Sequence, residues 1–189
     1  MLDAFDPLTL GHLDIIKRSS QFCDKLVVAI GLNPTKKSLF TEDERKSLIR
    51  QSLSEIKESF VIDVVSFQGL IVEYAKSIKA NILIRGIRSV SDFEYEINLA
   101  SINKVLAPEI ETVFLPTSPE LAVVSSSAAK EICKLGGNID KFVTPQVASA
   151  LQLKFGLGKK CPICCKSDSL KLTEDHPQFV FCRNCGVAV

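Results

Sequence analysis

The start of the chain places a glycine and a histidine where a turn becomes a helix. The segment from Thr9 to His12 follows the Asp6-Pro7 turn and precedes a stretch of helical period. A glycine beside a helix N-terminus lets a phosphate approach free backbone N–H groups, and an imidazole can donate a hydrogen bond to a phosphoryl oxygen. An ordinary helix start has the same appearance, so both interpretations stay open on these residues alone.

Basic side chains follow two runs rich in Val and Ile. Lys36 comes after KLVVAIGLN, and Arg85 and Arg88 flank Gly86 directly after NILI. Arginines at the end of an apolar strand are costly to place unless they bind an anion, whereas a loop lysine alone is more often solvated surface. Glu96, on the following helix, either holds a ligand hydroxyl or amine or pairs with an arginine.

A run of three serines opens a later helix. Ser125, Ser126 and Ser127 precede the helical segment AAKEICKL. Hydroxyls and free amides at a helix N-terminus form a good polyphosphate cradle, and a single N-cap serine would explain only one of the three. The run therefore indicates a second phosphate-binding element.

An alternation of strands and helices positions these polar stretches. The runs KLVVAIGLN, FVIDVVSF, NILIRGI and ETVFLPT predict strands that are apolar on both faces, as parallel strands covered by helices are. The pattern predicts an α/β fold with an open, parallel, Rossmann-like sheet and helices on both faces. The segment MLDAF is too short for a full strand, so we expect a truncated first strand. All four polar stretches fall at the carboxyl edge of this sheet, where ligands of such folds bind.

Capping patterns predict the helix boundaries. Thr41 with Glu44, and Ser91 with Glu94, fit capping boxes that open helices. Two glycines at positions 136 and 137 predict the end of the helix that starts near Ser125. A last helix is predicted from about position 145 to 155, with a proline at its start.

Length and charge exclude several classes of protein. The 189 residues carry a formal net charge of +1, so no overall field favours nucleic acid or an anionic membrane surface, and any phosphate site must be local. No apolar run approaches the roughly 20 residues of a membrane helix, and the first residues lack the pattern of a signal peptide. We therefore expect a cytoplasmic protein with no membrane partner, and the near-neutral charge does not favour nucleic acid as a partner.

Five stretches in this order and spacing resemble bacterial phosphopantetheine adenylyltransferases: FDPLTLGHLDII, NPTKKSLFTEDER, LIRGIRSVSDFEYE, APEIETVFL and VSSSAAKEI. The resemblance runs from about Phe5 to Phe155, and TLGH corresponds to a signature of the wider nucleotidylyltransferase superfamily. It implies a homohexamer that joins ATP to 4′-phosphopantetheine with Mg²⁺, giving dephospho-coenzyme A and pyrophosphate, with coenzyme A as a feedback ligand.

The resemblance also assigns roles to individual positions. His12 matches a transition-state stabiliser, Lys36 and Arg85 match basic residues that hold the acceptor substrate, and Ile71 matches a residue lining the pantetheine channel. The residues predicted to be catalytic are therefore His12, Lys36 and Arg85. The positions that match ATP contacts are Phe5, His12, Gly86, Ile87, Arg88, Glu96, Leu121, Ala122, Val123, Val124, Ser125, Ser126 and Ser127.

The chemistry requires these residue types independently of the family. A phosphomonoester is largely ionised at pH 7, so its attack on an α-phosphate needs no general base. The enzyme must instead align two anions and offset the charge on the phosphoryl oxygens. Histidine, lysine, arginine and helix N-termini can do both, which is consistent with direct in-line transfer.

The chain departs from the family pattern at two places. Asp3 and Ala4 stand where the family has a glycine and a hydroxyl residue, and residues 121–124, LAVV, replace an aromatic-containing segment. Asp3 adds a negative charge near a phosphate site, so both substrates should bind less well. A start site further upstream, a degraded or repurposed enzyme, a related transferase with another acceptor, and a non-catalytic nucleotide or coenzyme A binding module remain alternatives.

A second domain is predicted from 158 to 189, after a first domain from 1 to 157. Two CxxC pairs flank the hairpin-like stretch LKLTEDHPQFVF, and four thiolates in this arrangement predict a structural Zn²⁺ ribbon. Cys165 is a surplus cysteine, and we expect the ribbon to have a structural or partner-docking role. The predicted ligands are Cys161, Cys164, Cys182 and Cys185.

Overall fold

A computed structural model describes residues 1–33, 35, 37–54 and 61–157, together with the backbone of two short strands in the C-terminal region. The chain divides into two compact units, Met1–Ser126 and Ser127–Val189. The predicted domain boundary after residue 157 borders on residues outside the described ranges and stays a prediction. Among the described residues, no helix is long and apolar enough to cross a membrane.

The first unit alternates strands and helices. Its strands are β1 (Leu2–Asp3), β2 (Lys25–Gly31), β3 (Val61–Phe67), β4 (Ile82–Ile87) and β5 (Glu111–Pro116). Its helices are α1 (Leu10–Ser19), α2 (Glu42–Ser52), α3 (Ile71–Ser77) and α4 (Val90–Leu106), followed by a short 3₁₀ helix at Pro119–Leu121. Helix α5 (Ser126–Lys134) begins at the end of this unit.

The strands pair in parallel in two groups. β2 lies between β1 and β3, and β4 pairs with β5. β1 contributes only Leu2 and Asp3, which lie opposite Ala29 and Ile30 of β2. The predicted parallel α/β fold and its truncated first strand are therefore confirmed.

Apolar residues of the strands and helices form the core. Val28 and Ile30 on one face of β2 are fully buried and Ala29 on the other face is 4% exposed, as the two-sided apolar pattern predicts. An apolar cluster includes two residues of α3, and Ile71 packs against it. The members of that cluster are Val72, Ala75, Leu83, Ala107 and Ile110.

One predicted helix start is wrong. Helix α4 has its N-cap at Ser89, whose side chain accepts a hydrogen bond from Asp92 N, and not at Ser91. Both serines have an acidic residue three positions later, so the sequence offers two overlapping capping patterns. Ser89 has the extended backbone of a cap, which places Ser91 inside the first turn.

The second unit contains the rest of α5, then α6 (Pro145–Lys154) and a pair of short strands, β6 (Leu170–Leu172) and β7 (Val180–Cys182). Gly136, with φ +79°, ends α5 as predicted, and α6 starts at the predicted proline. β6 and β7 pair antiparallel, in agreement with the predicted hairpin.

Candidate active site

The imidazole of His12 closes the first turn of α1. Thr9 is the N-cap residue, and its Oγ1 accepts a hydrogen bond from His12 N at 3.4 Å. In return, Thr9 N donates to His12 Nδ1 at 3.0 Å, which completes a capping box. Because Nδ1 accepts this bond, the proton of a neutral ring is on Nε2. The helix start therefore holds a donor in a fixed direction.

Asp3 of β1 is the partner of that donor. Its Oδ2 lies 3.3 Å from His12 Nε2, and its Oδ1 accepts from Ala4 N at 2.6 Å. Burial alone would raise the pKa of the Asp3 carboxyl, but the charge and hydrogen bond of His12, then Arg85, hold that pKa well below its usual range. An anionic oxygen of the chain itself thus occupies the position that the sequence analysis gives to a phosphoryl oxygen.

The turn between β1 and α1 is fixed by buried side chains. Phe5 is fully buried with φ +48°, and its ring meets the His12 ring edge-on at 5.0 Å between centroids. Asp6 accepts hydrogen bonds from Leu39 N at 3.0 Å and Phe40 N at 2.9 Å. Leu39 and Phe40, which precede α2, are thereby tied to the turn.

Arg45 supports the same turn from α2. It is 5% exposed, and its Nη1 donates to Ala4 O at 2.9 Å. The sequence analysis missed both Asp6 and Arg45. An aspartate in a turn is a signal for bonds to backbone amides, but nothing local to Arg45 indicates a carbonyl 41 positions away.

Arg85, on β4, joins β1 to α4. Its Nε donates to Glu96 Oε2 at 2.6 Å, its Nη2 donates to Glu96 Oε1, and its Nη1 donates to Leu2 O at 2.5 Å. Burial alone would lower the pKa of Arg85, but the hydrogen bonds and charge of Glu96 raise it above its usual value. Three of the five N–H donors are used, which leaves two for a ligand.

Arg88 makes a similar but more exposed pair. Its Nε donates to Asp92 Oδ2 at 2.9 Å, and its Nη1 donates to Val124 O at 3.3 Å. Val124 is buried at 3% exposure, whereas Val123 beside it is 77% exposed. Arg88 therefore links the end of β4 to the predicted ATP-binding stretch of residues 121–127.

Gly86 lies at a tightly packed position. A Cβ at this position would lie 3.2 Å from Ile15 Cγ1, and Ile15 is 1% exposed. Gly11 differs, because a Cβ there would meet protein atoms only at 3.6 Å or more. The close approach of α1 to β4 explains the first glycine, and no contact within the protein explains the second.

Two hydrogen bonds hold the segment that leads into α5. Asp14 of α1 accepts from Ser118 N at 3.2 Å and from Ser118 Oγ at 3.1 Å. Ser126 Oγ donates to Pro7 O at 2.7 Å. The serine run is thus connected to the turn that carries Phe5, although the sequence analysis did not single out Asp14.

The first unit therefore brings two of the predicted residues to one strand, β1. His12 and Arg85 bond to the adjacent residues Asp3 and Leu2 of β1. Ile87 ends β4, and its carbonyl accepts from Thr117 N at 2.8 Å. The N–H donors of His12 and Arg85 could orient phosphates and neutralise their charge, which is the chemistry that the sequence predicts.

Further predicted residues belong to other elements or to stretches outside the described ranges. Ile71 begins α3 beside the apolar cluster, and Ser127 belongs to the second unit. Lys36, Cys161, Cys164 and Cys185 lie outside the described residues, and Cys182 is described only as the backbone end of β7. Their roles stay predictions.

Comparison with known proteins identifies the class. Residues 4–132 match the family model described as cytidylyltransferase-like. The nicotinic acid mononucleotide adenylyltransferase of Plasmodium falciparum, solved with NaAD, superimposes with a TM-score of 0.58 over 82% of this chain and 94% of its own, at 14% identity. That likeness shows the fold. The protein is a nucleotidyltransferase of the cytidylyltransferase-like class.

Curated relatives narrow the class to one family. The chain is 48% identical over 152 residues to the phosphopantetheine adenylyltransferase of Caldanaerobacter subterraneus subsp. tengcongensis, covering 80% of this chain and 93% of that relative. It is 47% identical over 154 residues to the same enzyme of Synechococcus sp. strain JA-3-3Ab, covering 82% and 95%. The chain belongs to the phosphopantetheine adenylyltransferase family, which confirms the predicted resemblance.

Proposed function

We propose that the protein transfers AMP from ATP to 4′-phosphopantetheine, giving dephospho-coenzyme A and pyrophosphate. The observation that carries the proposal is the identity of 44–48% to curated phosphopantetheine adenylyltransferases over about 80% of the chain. An oxygen of the acceptor phosphate attacks the α-phosphorus of ATP. The bond from that phosphorus to the bridging oxygen breaks, and pyrophosphate leaves with the electron pair.

His12 is the proposed stabiliser of the transition state. Its Nε2 proton is held by the bond from Thr9 N to Nδ1, so the ring needs no reorientation to donate to a phosphoryl oxygen. ATP must displace the Asp3 carboxylate from this donor, or share the donor with it. The residue best placed for catalysis is therefore also the residue whose donor is already engaged.

Arg85 and Lys36 are proposed to hold the acceptor phosphate. Two N–H groups of Arg85 remain beyond its bonds to Glu96 and Leu2, which suits a ligand that arrives as an anion. ATP would contact Phe5, Gly86 to Arg88, Glu96 and residues 121–127. Ile71 would border the pantetheine arm.

Mg²⁺ would arrive with ATP. In the part of the chain that the structure describes, no group of three or more His, Cys, Asp or Glu side chains could hold a metal ion. Mg²⁺ is commonly bound by substrate phosphates and water, with one or two protein ligands. We propose that MgATP is the substrate.

Pyrophosphate release with ATP and 4′-phosphopantetheine tests the reaction. We expect release to depend on both substrates and dephospho-coenzyme A to be found by mass spectrometry. The same assay with nicotinic acid mononucleotide as the acceptor is the control. No product from either chain, the given one or the Asp3→Gly/Ala4→Ser variant, would exclude the proposal.

A second candidate function is nucleotide or coenzyme A binding without turnover. The contact of Asp3 with His12 favours it, because a carboxylate occupies the donor that catalysis needs. Calorimetry would then show binding of ATP or coenzyme A, while pyrophosphate release by the given chain stays at background.

We also propose a homohexamer, with coenzyme A as a feedback ligand. None of the 17 residues of α4, all of which the structure describes, is buried in the single chain. Large apolar residues on this helix are exposed, and a subunit interface would cover them. They include Val90 at 76%, Tyr95 at 65% and Val105 at 81%. Light scattering tests the oligomer, and inhibition by coenzyme A tests the feedback.

For the C-terminal region we propose one structural Zn²⁺ held by Cys161, Cys164, Cys182 and Cys185, in a protein that works in the cytoplasm. The antiparallel pairing of β6 with β7, opposite Leu170 at Cys182, is compatible with a ribbon. Elemental analysis should find one zinc per chain, and a Cys182→Ser/Cys185→Ser variant should lose it.

A further inference from the structure

A carboxylate on α1 faces the loop that leaves β5. Asp14 lies two residues after His12 on α1, and its side chain is 17% exposed. Its Oδ2 accepts hydrogen bonds from Ser118 N at 3.2 Å and from Ser118 Oγ at 3.1 Å. One carboxylate oxygen therefore holds both donors of a residue 104 positions away.

Arg18 adds a third bond at the same place. Its Nη1 donates to Asp14 Oδ2 at 3.1 Å and to Pro116 O at 2.6 Å. Pro116 ends β5, and Ser118 follows it by two residues. The pair of Asp14 and Arg18, spaced i,i+4 on α1, thus contacts the chain on both sides of Thr117. Hydrogen bonds with a charged partner are stronger than those between neutral groups.

The bonds of Ser118 differ from those expected at its position. Ser118 is the N-cap of the 3₁₀ helix Pro119–Leu121, but its side chain makes no cap bond to that helix. A serine at an N-cap ordinarily accepts a hydrogen bond from a backbone N–H of its own helix. Because Ser118 instead donates to Asp14, the start of the short helix is anchored to α1.

The anchored helix leads into the stretch that is proposed to contact ATP, residues 121–127. Leu121 N donates to Ser118 O at 2.8 Å, and Val124 N donates to Leu121 O at 2.9 Å. Two successive backbone bonds therefore connect Ser118 to Val124. The position of Val124 depends on the place at which Ser118 is held.

The first turn of α1 faces the same stretch. A Cβ at Gly11 would lie 3.7 Å from Thr117 Cγ2 and 4.0 Å from Val124 O. At the far end, Ser126 Oγ donates to Pro7 O at 2.7 Å, just before α1. Helix α1 and the turn that precedes it therefore hold the stretch both at its start and near its end.

The acceptor side of the site is held by other residues. Arg85, which is proposed to bind the acceptor phosphate, donates to Glu96 and to Leu2 O. These partners belong to α4 and β1. A change at Asp14 should therefore affect ATP and leave the acceptor unaffected.

We propose that Asp14 is a positioning residue for ATP, which, together with Arg18, fixes the start of residues 121–127 to the helix that carries His12. The inference rests on the proposed function, since that function assigns this stretch to ATP. Without the carboxylate, the stretch would adopt its binding conformation only part of the time. The apparent affinity for ATP would fall in proportion to that fraction.

The test measures binding of ATP and of 4′-phosphopantetheine separately by calorimetry, which requires no turnover. In Asp14→Ala we expect ATP to bind about tenfold more weakly, the equivalent of one hydrogen bond to a charged group, and the acceptor to bind as before. Alanine favours the helix, so α1 itself should persist. Asp14→Asn keeps an oxygen that can accept from Ser118, so it should retain most of the affinity.

Two further variants locate the effect. Ser118→Ala removes the hydroxyl bond and keeps the amide bond, so it should weaken ATP binding less than Asp14→Ala does. Added to Asp14→Ala, it should have no further effect, because its partner is already gone. Glu42→Ala is the matched control: Glu42 accepts from Lys46, four residues later, and from the distant Ser66. It should leave ATP affinity unchanged.

Amide exchange in the free protein reports the anchor without a ligand. Exchange at Leu121 and Val124 should be faster in Asp14→Ala than in the unmodified chain. Unchanged ATP affinity in Asp14→Ala, or an equal loss of affinity for both ligands, overturns the inference. If the unmodified chain bound no ATP, the proposed function would fail. Unchanged exchange at both amides would then overturn the anchor as well, whereas faster exchange would support it.

Discussion

Helices α1 and α2 begin with the same hydrogen-bonded motif. In α2, Thr41 N donates to Glu44 Oε2 at 2.8 Å, and Glu44 N donates to Thr41 Oγ1 at 3.3 Å. In α1, Thr9 and His12 make the equivalent pair of bonds. The glutamate closes its box with a carboxylate, whereas the histidine closes its box with one ring nitrogen and keeps a second as a donor.

The charges around the two helix starts differ as well. The first turn of α2 contains Glu42, Asp43 and Glu44, which satisfy the positive end of the helix dipole. The first turn of α1 contains no acidic residue, and among the described residues the carboxylate of Asp3 contacts His12 in this turn. The comparison teaches that the same motif is completed by a carboxylate in α2, whereas in α1 it also presents a ring nitrogen to the carboxylate of Asp3.

The largest effect is expected from exchanging the third helical residue. His12→Glu keeps a capping box but removes the Nε2 donor, so kcat/KM should fall at least ~10²–10³-fold, the cost of losing one transition-state donor. The free energy of unfolding should fall by about 0.5–3 kcal/mol, because the Asp3 carboxylate loses the contact that lowers its pKa. Pyrophosphate release and urea unfolding measure the two quantities.

Glu44→His is the matched control, because it makes the reverse exchange in α2. It should leave turnover unchanged. His12→Ala removes both the cap and the donor, and we expect kcat to fall more than ATP affinity, since the donor matters most as charge develops. Equal losses in kcat and affinity would contradict the proposed role of His12.

The second largest effect is expected from removing the carboxylate of Asp3 in β1, which contacts His12 in the first turn of α1. The Asp3→Gly/Ala4→Ser variant frees the His12 donor and supplies a hydroxyl, so kcat/KM for ATP should rise about tenfold, as a charge-assisted bond of ~1.5–3 kcal/mol implies. Asp43→Asn, an acid in the first turn of α2, is the control and should have no effect on turnover.

Acid should not reproduce this gain. The pKa of Asp3 is held below its usual range, so its carboxylate stays ionised as the pH falls to 5. The stability that this lowered pKa provides is present above the unfolded value of 3.8 and is lost only as pH falls below it, through the folded value. A turnover gain in the unmodified chain between pH 7 and 5 would contradict the assignment.

Strands β2 to β5 and the start of α2 could be predicted from the sequence because the signals for them are local. β2 to β5 are continuous apolar runs, and Thr41 lies three residues before Glu44. The start of α4 was predicted two residues too late, because Ser89 and Ser91 both precede an acid at the right spacing. Only the backbone conformation decides between them.

The partners of the site residues were less accessible to sequence reasoning. The positions of His12 and Arg85 after a turn and a strand made them candidates, and the resemblance to the family assigned their roles. That Arg85 is held by Leu2 O, and Arg45 by Ala4 O, could not be predicted, since a backbone carbonyl carries no sequence signal. The Asp3 charge was predicted, but its contact with Nε2 required the fold.

A smaller effect is expected at the second position of each helix. A Cβ at Gly11 meets protein atoms only at 3.6 Å or more, so Gly11→Ala should stabilise α1 by ~0.5–1 kcal/mol. If phosphate approaches the amides of this turn, the same change should weaken ATP binding several-fold. Calorimetric titration and urea unfolding measure the two effects.

Two further variants serve as controls for Gly11→Ala. Asp43→Ala alters the equivalent position of α2 and should cost ~0.3–1 kcal/mol of stability with no change in ATP binding. Gly86→Ala places a methyl group 3.2 Å from the buried Ile15 Cγ1, so it should destabilise the fold. Unchanged ATP affinity in Gly11→Ala would show that ligand does not approach the α1 turn closely.

The smallest effect is expected from removing one cap at a time. Thr41→Ala should cost about 1 kcal/mol of unfolding free energy and leave kcat unchanged. Thr9→Ala loses the equivalent bond, together with the contact of 3.1 Å between Oγ1 and His12 Nδ1, and Thr9 is buried. It should therefore cost at least as much stability and also lower kcat a few-fold, because one of the two Thr9 groups that contact Nδ1 is gone. If Thr9→Ala affected only stability, the bond from the Thr9 amide alone would suffice to hold the imidazole, and the two caps would differ only in the residue that completes them.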